Sequence, residues 1–123
     1  MEPKYHQLFE ELKILLLNNS NKVLGECEVS SSGITGTVVD IRPIFAAALK
    51  ANASAIIMIH NHPSSKLIAS EADKQITEKV KAASKLLDIQ LLDHLIITFD
   101  GYYSFADDGG NLASLLLLLT RWV

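Results

Sequence analysis

The chain has a single cysteine, Cys27. Without a second thiol it forms no internal disulfide, and it has no paired cysteines for a zinc knuckle. Its six glycines are scattered. No glycine-rich loop is therefore available to cradle phosphates, and no nucleotide cofactor is expected. Basic residues are not in excess either: 11 Lys and Arg against 14 Asp and Glu give a formal net charge of −3. That balance argues against a surface that clamps a nucleic-acid backbone, and so against DNA as a partner of this domain alone. Long apolar runs are lacking too. The longest, Leu112 to Leu119, is interrupted by Ala113-Ser114 and falls far short of the ~20 residues of a membrane helix. Met1-Glu2-Pro3-Lys4 does not open a signal-peptide pattern. A reduced, cytoplasmic, membrane-free location is the expectation.

What remains is an ordinary globular composition, 49% hydrophobic and 20% charged, in 123 residues. That length supports one core, so residues 1–123 are read as a single domain. Leu8 and Leu12 among glutamates predict a short helix over residues 1–12, strongest from Tyr5. Lys13 to Leu17 reads as a buried strand. Asn18 to Asn21 carry turn chemistry, and Lys22 to Val29 returns as the second strand of a hairpin. Ile34 to Val39 is a third, β-branched strand. Asp40 is expected to cap a helix that tolerates Pro43 in its first turn and stops at Asn52. Ser54 to Ile59 is a continuous apolar run, the mark of a central strand covered on both faces. Ala72, Ile76, Val80, Ala83 and Leu87 recur at helical spacing, which predicts a long amphipathic helix. Gln90 to Leu92 and Leu95 to Phe99 are read as two strands. Asp100-Gly101 then turns into Tyr102 to Phe105. The sum is an α/β layered domain with a mixed sheet flanked by helices.

Candidate chemistry concentrates after the apolar run. His60 and His62 stand two apart at a strand end, so both imidazoles can leave one face toward a cation. Asp73 offers a carboxylate as a third ligand, and Pro63 stiffens the turn between them. A bare His-x-His is equally compatible with a surface loop, and Ser70-x-x-Asp73 also fits a helix capping box. Glu26 and Glu28 share one face of the second strand. They are either the base that a metal-activated water needs or that strand's solvent face. Cys27, out of phase with them, is expected to pack inward. His94 is a possible fourth ligand or a structural histidine at a strand boundary, as is Asp93 beside it. His6 is read as solvated.

The composite of His60-x-His62, seven residues from Pro63 to Ala69, Ser70-x-x-Asp73 and an upstream glutamate resembles the JAMM signature of the JAB/MPN metalloprotease-like superfamily. The words ALKANASAIIMIHNHPSS, LLDIQLLDHLIIT, YYSFADDG and NKVLGECEVSSSGITGTVVD narrow the resemblance to the RadC family. It runs from about Leu15 to Gly109. The fold it implies is the JAB/MPN (cytidine-deaminase-like) layered α/β sandwich. The implied site is zinc held by His60, His62, Asp73 and a water. Glu28, with Glu26 in reserve, would be general acid/base, and Ser70 would stabilise the oxyanion. The implied activity is hydrolysis of an amide bond in a protein or peptide substrate. The alternatives are a non-catalytic MPN-type interaction module and a DNA-repair accessory protein. Three departures from the family pattern stand out. Ser65 replaces a usual glycine, the usual N-terminal helix-hairpin-helix region does not appear within these 123 residues, and the apolar tail over 110–123 has no counterpart. That tail is a candidate core-packing or dimer-forming helix.

Overall fold

A computed structural model describes residues 11–29, 40–61, 71–98 and 101–106. Five strands form one sheet: β1 (Glu11–Leu17), β2 (Val23–Val29), β3 (Ala55–Asn61), β4 (Gln90–Ile97) and β5 (Tyr102–Ser104). Two helices join them, α1 (Arg42–Lys50) and α2 (Glu71–Leu87). The strand order is β2-β1-β3-β4-β5. β3 and β4 are parallel and every other neighbouring pair is antiparallel. A parallel pair cannot be closed by a hairpin, and α2 lies in the crossover between its two strands. The result is a mixed α/β sheet, as expected of a JAB/MPN domain. The third strand anticipated at Ile34 to Val39, the helix before Glu11 and the 110–123 tail lie outside the described residues.

The hairpin forms where the asparagines predict it. Asn18 Oδ1 accepts from the amides of Ser20 (2.8 Å) and Lys22 (3.0 Å). Asn21 takes the left-handed backbone angle that asparagine tolerates, φ 59°. Leu12, expected to end a helix, lies in β1 opposite Val29 and His60. Tertiary pairing on both sides outweighs its helical spacing from Leu8. β3 is central, and Ile56, Ile57 and Met58 have no exposed surface. Side-chain alternation divides the apolar residues between two faces. Leu12, Ile14, Leu16, Ile56 and Met58 pack with Ile44, Phe45 and Ala48 of α1 and Val80 of α2. Leu15, Leu17, Ala55, Ile57 and Leu95 pack on the other face. Cys27 is half-buried against the first cluster, as its phase predicts, and burial raises its thiol pKa.

Both helices depart from the sequence reading in one respect. The residue capping α1 is Ile41, which makes no side-chain cap. Asp40 lies one residue earlier. Its carboxylate accepts from the Arg42 amide (3.0 Å) and pairs with the Arg42 guanidinium through Nε (2.9 Å) and Nη2 (2.9 Å). Those hydrogen bonds hold the Asp40 carboxyl down at about 2. A depressed carboxyl stabilises the fold above its ordinary pKa, and that contribution is lost as pH falls through the folded value. Here it is small, because the pair is exposed. In Arg42→Ala the Asp40 midpoint should return toward its ordinary 3.8, followed by carboxyl carbon NMR, with thermal stability nearly unchanged. α1 ends as predicted, with Asn52 left-handed at φ 58°.

The inward stripe of α2 is Asp73, Thr77, Val80 and Ser84. Ala72 and Leu87, expected on that stripe, are exposed, while Ile76 and Ala83 are half-buried. Three of the four fully inward positions are polar. For Asp73 and Thr77 the reason lies on the facing strands, where two histidines occupy the sheet beneath the start of α2.

Candidate metal centre

His60 is the penultimate residue of β3, at the carboxyl end of the strand. It pairs with Leu12, so it projects from the face that carries Met58 and Ile14. Asp73, in the first turn of α2, is 2% exposed, and its Oδ1 lies 2.8 Å from His60 Nδ1. An acidic side chain there also meets the positive end of the helix dipole.

The third member comes from β4. His94 is fully buried and pairs with Met58, one pleat before His60 on the same face. Its ring stacks on His60 with centroids 6.0 Å apart and on Phe105 at 4.8 Å, 7° from coplanar. A register slip makes this possible. Leu91 faces Ile56 and Asp93 faces Ile57, so Leu92 is an extra residue in β4. Strict alternation from Leu91 would put residue 94 on the opposite face. The bulge reverses the phase and delivers His94 to the side of His60.

His60, Asp73 and His94 each offer a ligand atom, and these atoms lie within 4.8 Å of one another. Two imidazoles and a carboxylate form a donor set that suits zinc or a similar divalent ion. All three side chains are buried, so their positions are held by packing rather than by solvent.

The environment of β4 orders the group further. Asp93, on the opposite face, is 3% exposed. Its Oδ1 accepts from the amides of His94 (2.7 Å) and Ala106 (3.0 Å), and its Oδ2 accepts from the Ser104 hydroxyl. Those bonds tie the end of β5 to β4. The Phe105 amide donates to the His94 carbonyl at 3.2 Å, which sets the Phe105 ring over His94. Asp93 and His94 are therefore interior residues of one continuous strand and do not mark a boundary between two.

Of the residues singled out in the sequence, His60 and Asp73 meet, and His94, read there as a possible fourth ligand or a structural histidine, joins them. His62, Pro63 and Ser70 lie outside the described residues. Glu28 pairs with Lys13, which pairs with Ile59, so it leaves the sheet on the face opposite His60. Glu26 shares that face, with its Oε1 3.8 Å from Lys13 Nζ. Both glutamates are exposed, and neither is brought to the His60 side. Thr77 and Phe105 were not anticipated. Thr77 carried a signal, since it is four residues beyond Asp73 and so on the same helix face.

A mixed sheet with a buried His-Asp-His group where a helix starts over the carboxyl end of its central strand is consistent with a JAB/MPN domain. The family described as the RadC-like JAB domain matches residues 1–110, and the chain belongs to that family. It is similar to a UPF0758 protein of Flavobacterium johnsoniae, 51% identical over 110 residues, covering 89% of this chain and 48% of the relative. A UPF0758 protein of Porphyromonas gingivalis is 48% identical over 101 residues, covering 81% of this chain and 44% of the relative. One from Thermotoga maritima is 36% identical over 100 residues, covering 81% and 45%. The chain thus spans a little under half the length of these relatives. No described helix is long and apolar enough to cross a membrane.

Proposed function

We propose that this domain is a zinc-dependent hydrolase that cleaves an amide bond in a protein or peptide substrate. The observation that carries the reading is the convergence of His60, Asp73 and His94, three buried donors of zinc-ligand type, in a RadC-like JAB domain. His60 and Asp73 would hold the ion with one further imidazole, His94 by the geometry of the group or His62 by the sequence match, which leaves a fourth position for water. When bound, zinc supplies Lewis acidity, polarising a carbonyl and lowering the pKa of a bound water toward ~7. Asp73 provides the negative charge of the donor set and orients the His60 ring through its Nδ1. Packing against Phe105 fixes the plane of His94. Ser70 enters the proposal as oxyanion stabiliser on the sequence match. The proton-carrying role that the resemblance gives Glu28 requires it to act from the other face of the sheet. The proposal therefore rests on the metal group and not on that residue.

The test is metal analysis of protein purified without chelator, followed by hydrolysis assays on a peptide and isopeptide library. About one zinc per chain is expected, as for a single mononuclear site. Hydrolysis should be abolished by a chelator and restored by zinc. Glu28→Gln should keep both the metal and the hydrolysis. Metal-free protein would overturn the site, and a zinc-loaded domain inert across the library would leave a non-catalytic module.

A further inference from the structure

The hydroxyl of Thr77 touches two members of the group at once. Its Oγ1 lies 2.7 Å from the Asp73 carbonyl oxygen, four residues back along α2, and 2.6 Å from His94 Nδ1. Both separations are hydrogen-bond lengths, and each needs one proton. A carbonyl oxygen brings none, so the Thr77 proton must point to Asp73. This back-bond is one that a helical threonine readily makes. A hydroxyl has only one proton. The proton between Oγ1 and His94 must therefore belong to the imidazole, as Nδ1–H, with the Thr77 oxygen accepting it.

We infer that Thr77 is a positioning residue that holds His94 as the Nδ1–H tautomer, so that Nε2 carries the lone pair and serves the metal group as a ligand. Tautomer selection through the far nitrogen is the general way in which a protein prepares a histidine for a metal. Carboxylates and backbone carbonyls usually provide it, whereas here a hydroxyl becomes a pure acceptor because a helix carbonyl has taken its proton. Asp73 thus acts twice, its side chain toward His60 and its carbonyl, through Thr77, toward His94. The ring is stacked on Phe105, which removes rotation out of plane as another way to satisfy Nδ1. Thr77 is 7% exposed, leaving little room for water to replace its hydroxyl. The ligand role of His94 rests on the metal-centre reading, while the tautomer assignment does not.

Two measurements separate them. In the metal-free 123-residue chain, long-range proton–nitrogen NMR of the His94 ring should report Nδ1–H in the wild type and in Thr77→Ser, and lose that preference in Thr77→Val. Zinc affinity, by competition with a chromogenic chelator, should fall about 10–100-fold in Thr77→Val, the range for losing a hydrogen-bond partner of a ligating histidine. Thr77→Ser should remain near wild type. A merely structural hydroxyl would shift thermal stability without moving the tautomer. If His94 is Nε2–H in the wild type, or unchanged in Thr77→Val, the inference is overturned. Should Thr77→Val fail to fold, the tautomer of the wild type and of Thr77→Ser decides alone. If the tautomers behave as expected and zinc binds nowhere, the proposed function fails and the role of Thr77 toward His94 stands.

Discussion

Asp73→Ala is expected to lower zinc affinity by more than about 100-fold and to take hydrolysis down with it. Losing a residue that only supports a ligand costs about 10–100-fold, so losing a ligand that is also the group's one carboxylate should cost more. Neutral imidazoles would remain, without the charge that offsets a divalent cation in a buried place. Asp73→Asn is the sharper variant. Its amide oxygen can still accept from His60 Nδ1 and its shape is retained, so the fold should persist while affinity falls steeply. His60→Ala should match the loss, whereas Glu26→Gln, on the opposite face, should leave affinity at the wild-type value. Chelator competition combined with thermal unfolding separates lost binding from lost structure. Zinc held within a few-fold of wild type by Asp73→Asn and His60→Ala alike would place the metal elsewhere.

The sequence is informative wherever local chemistry and tertiary demand agree. Asn18 to Asn21 make a turn because the asparagines can take the required backbone angles and bond the chain themselves. Ser54 to Ile59 read as a central strand because a strand covered on both faces has no polar side to display. The start of α2 was visible in Glu71 and Asp73, and His60 with Asp73 followed from the motif. What stayed hidden depended on phase. Nothing in LLDHLII announces that Leu92 is an extra residue, and that slip is what turns His94 toward His60. Two polar residues inside an apolar run instead suggested a break between strands. The periodicity of α2 likewise pointed to Ala72 and Leu87. The helix is rotated toward Asp73 and Thr77, because the surface it meets at its first turns is polar. For Glu26 and Glu28 the alternation was right, but only the pairing of β2 with β1 and β3 decides which face they occupy.

The second large effect concerns stability and falls on Asp93. Its carboxylate accepts two amide protons and one hydroxyl proton in a nearly solvent-free place. Asp93→Ala leaves the His94 and Ala106 amides and the Ser104 hydroxyl without that acceptor. Each abandoned donor costs about 1–3 kcal/mol where water cannot substitute for it, and Ala106, partly accessible, should fall at the low end. A net loss of about 3–5 kcal/mol is therefore expected, on the order of 10–20 °C in Tm for a domain of this size. Asp93→Asn keeps one oxygen for the two amides, and the Ser104 hydroxyl can turn to accept from the new NH2 group. It should cost only about 1–2 kcal/mol, the difference between charged and neutral hydrogen bonds. The same bonds hold the turn that lays Phe105 on His94, so Asp93→Ala should also weaken zinc binding although Asp93 faces away from the metal group. Asp93→Asn should largely spare it. Urea unfolding of the two variants with and without zinc checks both parts. An Asp93→Ala protein within about 1 kcal/mol of wild type would mean that water reaches these donors, and that the polar pair inside β4 does not clamp the metal-bearing strand to β5.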